Sequence, residues 1–128
     1  MRILLDTHVL LWAVAQSSRL PQDARGLLED PDNALFCSTA SLWEIAIKAG
    51  LRRQDFVVDI PALRAAMVEM DIAELPVLGS HAEQVLKLPA IHKDPFDRML
   101  VAQSMIEPLV LLTNDAAFVG YWDGVRLV

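Results

Sequence analysis

Apolar positions along this chain follow two periods. Short, almost wholly apolar runs lie at Arg2–Leu5, Ala34–Cys37, Ile72–Val77, Leu109–Leu112 and Val125–Val128. They are too short for helices, are bounded by turn residues, and predict strands. Between them, apolar residues recur at helical spacing over His8–Gln16, Pro21–Glu29, Thr39–Ala49, Pro61–Met70, Ser80–Leu86 and Pro95–Ile106, which predicts helices. Pro21 and Pro61 stand where a first helical turn tolerates proline, and Gly50 is placed to close the third helix.

Strands apolar on both faces and separated by helices imply a mainly parallel sheet covered on each side. The predicted fold is therefore α/β, a three-layer α/β/α sandwich of about five strands. There is no internal repeat or low-complexity tract, and the longest irregular stretch is Leu51–Asp59. Residues 1–128 read as one domain. Such sheets gather ligands beyond the carboxyl ends of their strands, near the switch in strand order.

Composition narrows the class. With 128 residues, 54% of them hydrophobic, and a single Cys37, the chain can build a core without disulfides and carries no Cys-rich zinc site. No apolar run approaches the roughly 20 residues of a membrane span. Asp6 arrives too early for a signal peptide, so a soluble cytoplasmic protein is expected. Eleven Lys+Arg against 17 Asp+Glu give a net charge of −6, which at first argues against a nucleic-acid partner.

The acids change that picture. Asp6 directly follows the first strand, where capping of the next helix is the ordinary role. Glu44 lies on a helix apolar almost all round, which reads as buried. Its polar stripe is Ser41, Glu44 and Lys48, spaced three and four apart. Either Glu44 and Lys48 form an exposed pair, or a carboxylate faces a cleft. Pro95 at a first helical position makes Asp94 the cap and leaves Asp97 as the third helical residue, favoured as an anion by the helix dipole. Asp115 follows the fourth strand beside Thr113 and Asn114. Asp6, Asp97 and Asp115 are expected at strand-to-helix junctions. Four crowded carboxylates repel one another unless a divalent cation sits among them. All-oxygen ligation suits Mg²⁺ or Mn²⁺, and such ions promote in-line attack on phosphodiesters. The residues thus read as a metal-dependent phosphodiesterase.

At four segments, Leu4 to Trp12, Ser38 to Lys48, His92 to Gln103 and Leu112 to Asp115, the chain resembles PIN-domain ribonucleases. Within that family it is most similar to the VapC-type toxins of type II toxin–antitoxin pairs. The resemblance implies a Mg²⁺-dependent endoribonuclease, with Mn²⁺ as an alternative ion. It also implies an acidic quartet of Asp6, Glu44, Asp97 and Asp115, of which Asp6 and Asp97 are the foremost metal ligands. Thr113 matches the family's hydroxyl residue before the last acid, and Ser41 supports the site. Implied partners are an RNA substrate (tRNA, rRNA or mRNA), a cognate antitoxin whose C-terminal segment occupies the groove, and a second copy in a homodimer.

Lys48, Arg52 and Arg98 lie near the acids in sequence and could track an RNA backbone. Trp12 and Trp43 read as core or dimer-interface residues, and His8 and His92 as hydrogen-bonded structural residues. Two alternatives accompany the toxin reading: a processing or decay nuclease without an antitoxin, and a phospho-receiver-like signalling module. The second fits poorly, because Thr7 follows Asp6 and no Lys follows Lys93. Four acids committed to metal leave a net charge of about −2, so the acidic balance reflects a cation site more than an RNA-repelling surface.

Overall fold

Among the described residues, five strands alternate with six helices in the order β1 (Arg2–Leu5), α1 (Thr7–Val14), α2 (Gln22–Glu29), β2 (Ala34–Ser38), α3 (Thr39–Gly50), α4 (Ile60–Glu69), β3 (Ile72–Leu75), α5 (Gly79–Leu86), α6 (Pro95–Ile106), β4 (Val110–Thr113) and β5 (Val125–Leu127). A short 3-10 helix, Ala116–Phe118, precedes β5. The structure is a computed structural model and describes residues 1–51 and 57–128. Arg52 and most of the predicted irregular stretch therefore lie outside the described residues.

All strand pairs are parallel, in the order β3-β2-β1-β4-β5. The chain moves outward from β1 to β3 on one side and from β4 to β5 on the other, so the order reverses between β1 and β4. A crevice opens beyond the carboxyl ends of strands at such a switch. The register Leu5↔Leu112 brings the residues after β1 and the end of β4 side by side.

Side-chain alternation divides the core. Ile3, Leu5, Leu35, Cys37 and Leu112 face one cluster with Val9, Leu10, Ile45, Leu63 and Met67. Leu4 and Leu111 face the other, with Leu100, Val101, Phe118 and Tyr121. Ile3, Leu4 and Leu5 are inaccessible to solvent, which explains why β1 is apolar without alternation. Burial also pushes the Cys37 thiol up to about 12, with the Glu74 charge adding to it, so it packs as a small apolar residue.

Several boundaries differ from the pattern. β3 stops at Leu75 because Pro76 cannot donate to a ladder. α1 ends early, and Gln16 turns left-handed at φ 51°, a position usually filled by glycine. Gly50 does not close α3 that way. It is the last helical residue, and Leu51 follows in right-handed conformation at φ −77°. Nor is α3 buried all round: Trp43 is 65% exposed, and Ala46 and Ile47 share its solvent face. Trp43 is thus not a core residue.

Candidate active site

Asp6 leaves β1 extended (φ −71°, ψ 167°) and caps α1, its Oδ1 accepting the Val9 N–H at 2.9 Å. Its Oδ2 accepts the Thr113 hydroxyl. The residue is only 4% exposed. Burial holds its carboxyl above the ordinary aspartate range, against the lowering effect of the Thr113 and Val9 hydrogen bonds.

Glu44 satisfies both readings of its helix in part. Lys48 Nζ donates to Oε2 at 2.9 Å, yet Glu44 is 5% exposed rather than solvated. The Thr7 hydroxyl donates to Oε1 at 2.8 Å and meets Ser41 Oγ at 3.1 Å. Both carboxylate oxygens of Asp6 and of Glu44 are therefore already bonded.

Asp94 caps α6, with Oδ1 accepting the N–H groups of Phe96 at 2.9 Å and Asp97 at 3.1 Å. Pro95 follows at the first helical position and Asp97 at the third. The connection delivering Asp97 runs from α5 to α6, so only Asp6 and Asp115 sit at carboxyl ends of strands. Asp97 Oδ2 lies 3.2 Å from His92 Nε2, and among the described residues Oδ1 has no protein donor. The Asp97 carboxyl is pushed up to about 7, first by burial and then by the charges of Asp94, Glu44, Asp6 and Asp115. Asp115 is exposed and caps the 3-10 helix through the Ala117 N–H at 2.9 Å. Its own N–H donates to Thr113 Oγ1 at 3.0 Å.

These side chains share one cavity of about 90 Å³, lined by Asp6, Thr7, His8, Glu44, Lys48, Asp94, Asp97, Asp115 and Phe118. It lies at the β1–β4 switch. All four predicted acids line it, and so do Lys48 and His8. Ser41 and Thr113 stand behind it as hydrogen-bond partners of Thr7 and Asp6. Arg98 does not line it: its guanidinium donates to the carbonyls of Pro89 at 2.9 Å and Val85 at 3.1 Å. Pattern reading missed Thr7, the extra carboxylate of Asp94 in the cavity, and Tyr121. Thr7 was legible in principle, because it lies next to Asp6, whereas Tyr121 reaches the site only through tertiary contact.

A much larger groove of about 700 Å³ is apolar, formed by Trp43, Val77, Val85, Phe96 and Met99 with Lys93 and Arg98 also on its wall. None of the acids lines it. The small acidic cavity is where chemistry is possible, since five carboxylates and one ammonium converge there.

The PIN domain family model matches residues 3–121. The chain belongs to the PIN domain family. No curated protein sequence matches it. Among solved structures, this PIN domain is similar to VapBC2 from Rickettsia felis bound to a promoter DNA fragment. The TM-score is 0.71 at 14% identity, covering 100% of this chain and 98% of that one. A toxin–antitoxin complex from Klebsiella pneumoniae gives a TM-score of 0.63 at 23% identity, covering 97% and 95%. A domain from Methanocaldococcus jannaschii gives 0.58 at 17%, covering 99% and 90%. At these identities the likenesses show a shared fold.

A divalent cation fits the PIN domain's acidic cavity by its donor chemistry. The donors are carboxylate oxygens, and their mutual repulsion is what helps drive Asp97 toward protonation. Hard Mg²⁺ or Mn²⁺ suits such a set. Among the described residues no group of three or more His, Cys, Asp or Glu side chains is placed so as to hold a metal ion.

Proposed function

We propose that this PIN domain is a Mg²⁺-dependent endoribonuclease, with Mn²⁺ able to replace Mg²⁺, acting in the cytoplasm as the toxin of a type II toxin–antitoxin pair. The carrying observation is the convergence of Asp6, Glu44, Asp94, Asp97 and Asp115 on one small cavity. Among the described residues Asp97 offers an oxygen without a protein donor, and Asp115 and Asp94 each use only Oδ1 for capping. These acids would hold the cation. Asp6 joins them with its orientation set by Val9 and Thr113. When bound, the cation supplies Lewis-acid activation for hydrolysis of an RNA phosphodiester. Lys48, held by Glu44, places a positive charge at the cavity wall for the substrate backbone.

An antitoxin partner is supported by the two toxin–antitoxin complexes that share the fold and by the charge of the cavity, which complements an arginine-bearing segment. A homodimer is supported by the exposed apolar Trp43 and Val77 on the wall of the large groove, with Ile47 and Leu78 also exposed. Among the described residues no helix is long and apolar enough to cross a membrane.

Purified protein incubated with single-stranded RNA tests the reading. Cleavage is expected with Mg²⁺ or Mn²⁺, and its loss with chelator or in Asp97→Asn and Asp6→Asn. Undiminished cleavage by either folded variant, or in chelator, overturns it.

A further inference from the structure

One side chain outside the acids touches the Asp97 carboxylate. His92 Nε2 lies 3.2 Å from Asp97 Oδ2, and its Nδ1 lies 2.6 Å from Tyr121 Oη. Tyr121 is buried, three residues after the 3-10 helix, and its Oη also accepts the His92 backbone N–H at 3.2 Å and Arg98 Nη1 at 3.4 Å and lies 3.4 Å from the His92 carbonyl oxygen. Arg98 is pinned in turn on the carbonyls of Pro89 and Val85. The imidazole packs edge-on against buried Phe118, with ring centroids 5.3 Å apart.

With Asp97 ionised and the imidazole neutral, one tautomer satisfies these partners. Tyr121 donates to Nδ1, so Nε2 carries the ring proton and donates to Asp97, while the lone pairs of Tyr121 Oη take the His92 and Arg98 donors. The ring is restrained through its backbone N–H, both nitrogens and the edge-on contact with Phe118.

We propose that His92 is a positioning residue which, anchored by Tyr121, fixes the rotamer of Asp97 and thereby sets the affinity of the acidic cavity for a divalent cation. The inference rests on the metal-dependent reading above. Asp97 needs such a brace more than its neighbours do. Asp6 is held by two donors and Glu44 by two, whereas His92 is the one side chain among the described residues that bonds the Asp97 carboxylate. Outer partners of metal-binding side chains typically change affinity by about 10- to 100-fold when removed.

The test compares two conservative variants. In His92→Gln the amide nitrogen can reach the Nε2 position and donate to Asp97. In His92→Asn the amide reaches only the Nδ1 position, toward Tyr121. Mn²⁺ alone is titrated calorimetrically into wild type, both variants and Tyr121→Phe, with unfolding curves and RNA cleavage recorded beside it. Mn²⁺ binding is expected to weaken about 10- to 100-fold in His92→Asn and to stay within about threefold of wild type in His92→Gln. Tyr121→Phe should weaken it by a smaller factor, and the turnover rate should fall more than KM rises. Both His92 variants binding like wild type, or both equally weak, overturns the proposal while leaving the nuclease reading intact. Wild type that neither binds Mn²⁺ nor cuts RNA overturns both.

Discussion

The Thr113 hydroxyl donates to Asp6 Oδ2 across the β1–β4 boundary. The contact follows from register: Leu5 pairs with Leu112, so the next residue of each strand meets the other at the switch point. Thr113 Oγ1 in turn accepts the Asp115 N–H at 3.0 Å, so one buried side chain ties two acids of the site together. Thr113→Val keeps the shape and removes both bonds, leaving a buried carboxylate oxygen without its donor. Stability should fall by about 1–3 kcal/mol, read from urea unfolding, and Thr113→Ser should recover most of it. A valine variant as stable as wild type would show that the bridge contributes nothing.

Asp97 predicts an unusual pH dependence. Its carboxyl is pushed up to about 7 from 3.8, mainly by burial and then by four neighbouring charges. The folded protein therefore binds this proton more tightly than the unfolded chain. In linkage terms, this residue's contribution to stability is greatest below pH 3.8 and declines as pH rises through the window from 3.8 to about 7. Because other acids contribute slopes of their own, the quantity to measure is the stability of wild type minus that of Asp97→Asn, without metal. That difference should fall between about pH 4 and about pH 7. A cation favours the ionised carboxylate, so Mn²⁺ affinity should climb over the same range. A difference that rises with pH contradicts the assignment.

Asp94 carries two separable effects. It caps α6 through Oδ1, and its charge is the largest of those raising Asp97. Asparagine caps a helix about as well as aspartate, while alanine loses roughly 1 kcal/mol. Asp94→Asn should keep wild-type stability to within a few tenths of a kcal/mol, yet move the Asp97 titration, followed by carboxyl-carbon NMR in metal-free protein, to lower pH. Asp94→Ala should make the same titration shift and lose the cap. If Asp94→Asn leaves the Asp97 midpoint unmoved, the two carboxyls do not interact.

Much of this arrangement is legible in local sequence because local rules govern it. The apolar run ending at Leu5 places Asp6 at a strand end, and Asp94 followed by Pro95 announces a helix start that fixes where Asp97 falls in the first turn. The spacing of Ser41, Glu44 and Lys48 locates one face of α3. What escapes is set by tertiary context. The left-handed turn at Gln16 uses a residue whose propensity argues against it. Gly50 stays helical because nothing requires a positive φ there. The apolar composition of α3 cannot tell a buried face from one exposed through Trp43 and Ile47. His92 and Tyr121 are 29 positions apart and meet through folding alone.

Arg98 and Lys48 look alike as cations near acids, but the structure gives them different surroundings. Arg98 uses its planar fork on two carbonyls and the Tyr121 hydroxyl. Lys48 lines the acidic cavity, and among the described residues its ammonium has a single contact, to Glu44. In an Asp97→Asn background, in which cleavage is expected to be suppressed, RNA binding can be followed across salt concentrations. Arg98→Lys retains the charge but cannot reproduce the fork, so stability should fall by about 1–2 kcal/mol with the salt slope unchanged. Lys48→Gln can still donate to Glu44 but has lost the charge, so its slope should shrink by about 0.7, one phosphate contact on a single strand. If instead Arg98→Lys is fully stable and Lys48→Gln keeps the wild-type slope, then Arg98 does not brace the fold and Lys48 does not meet the RNA backbone.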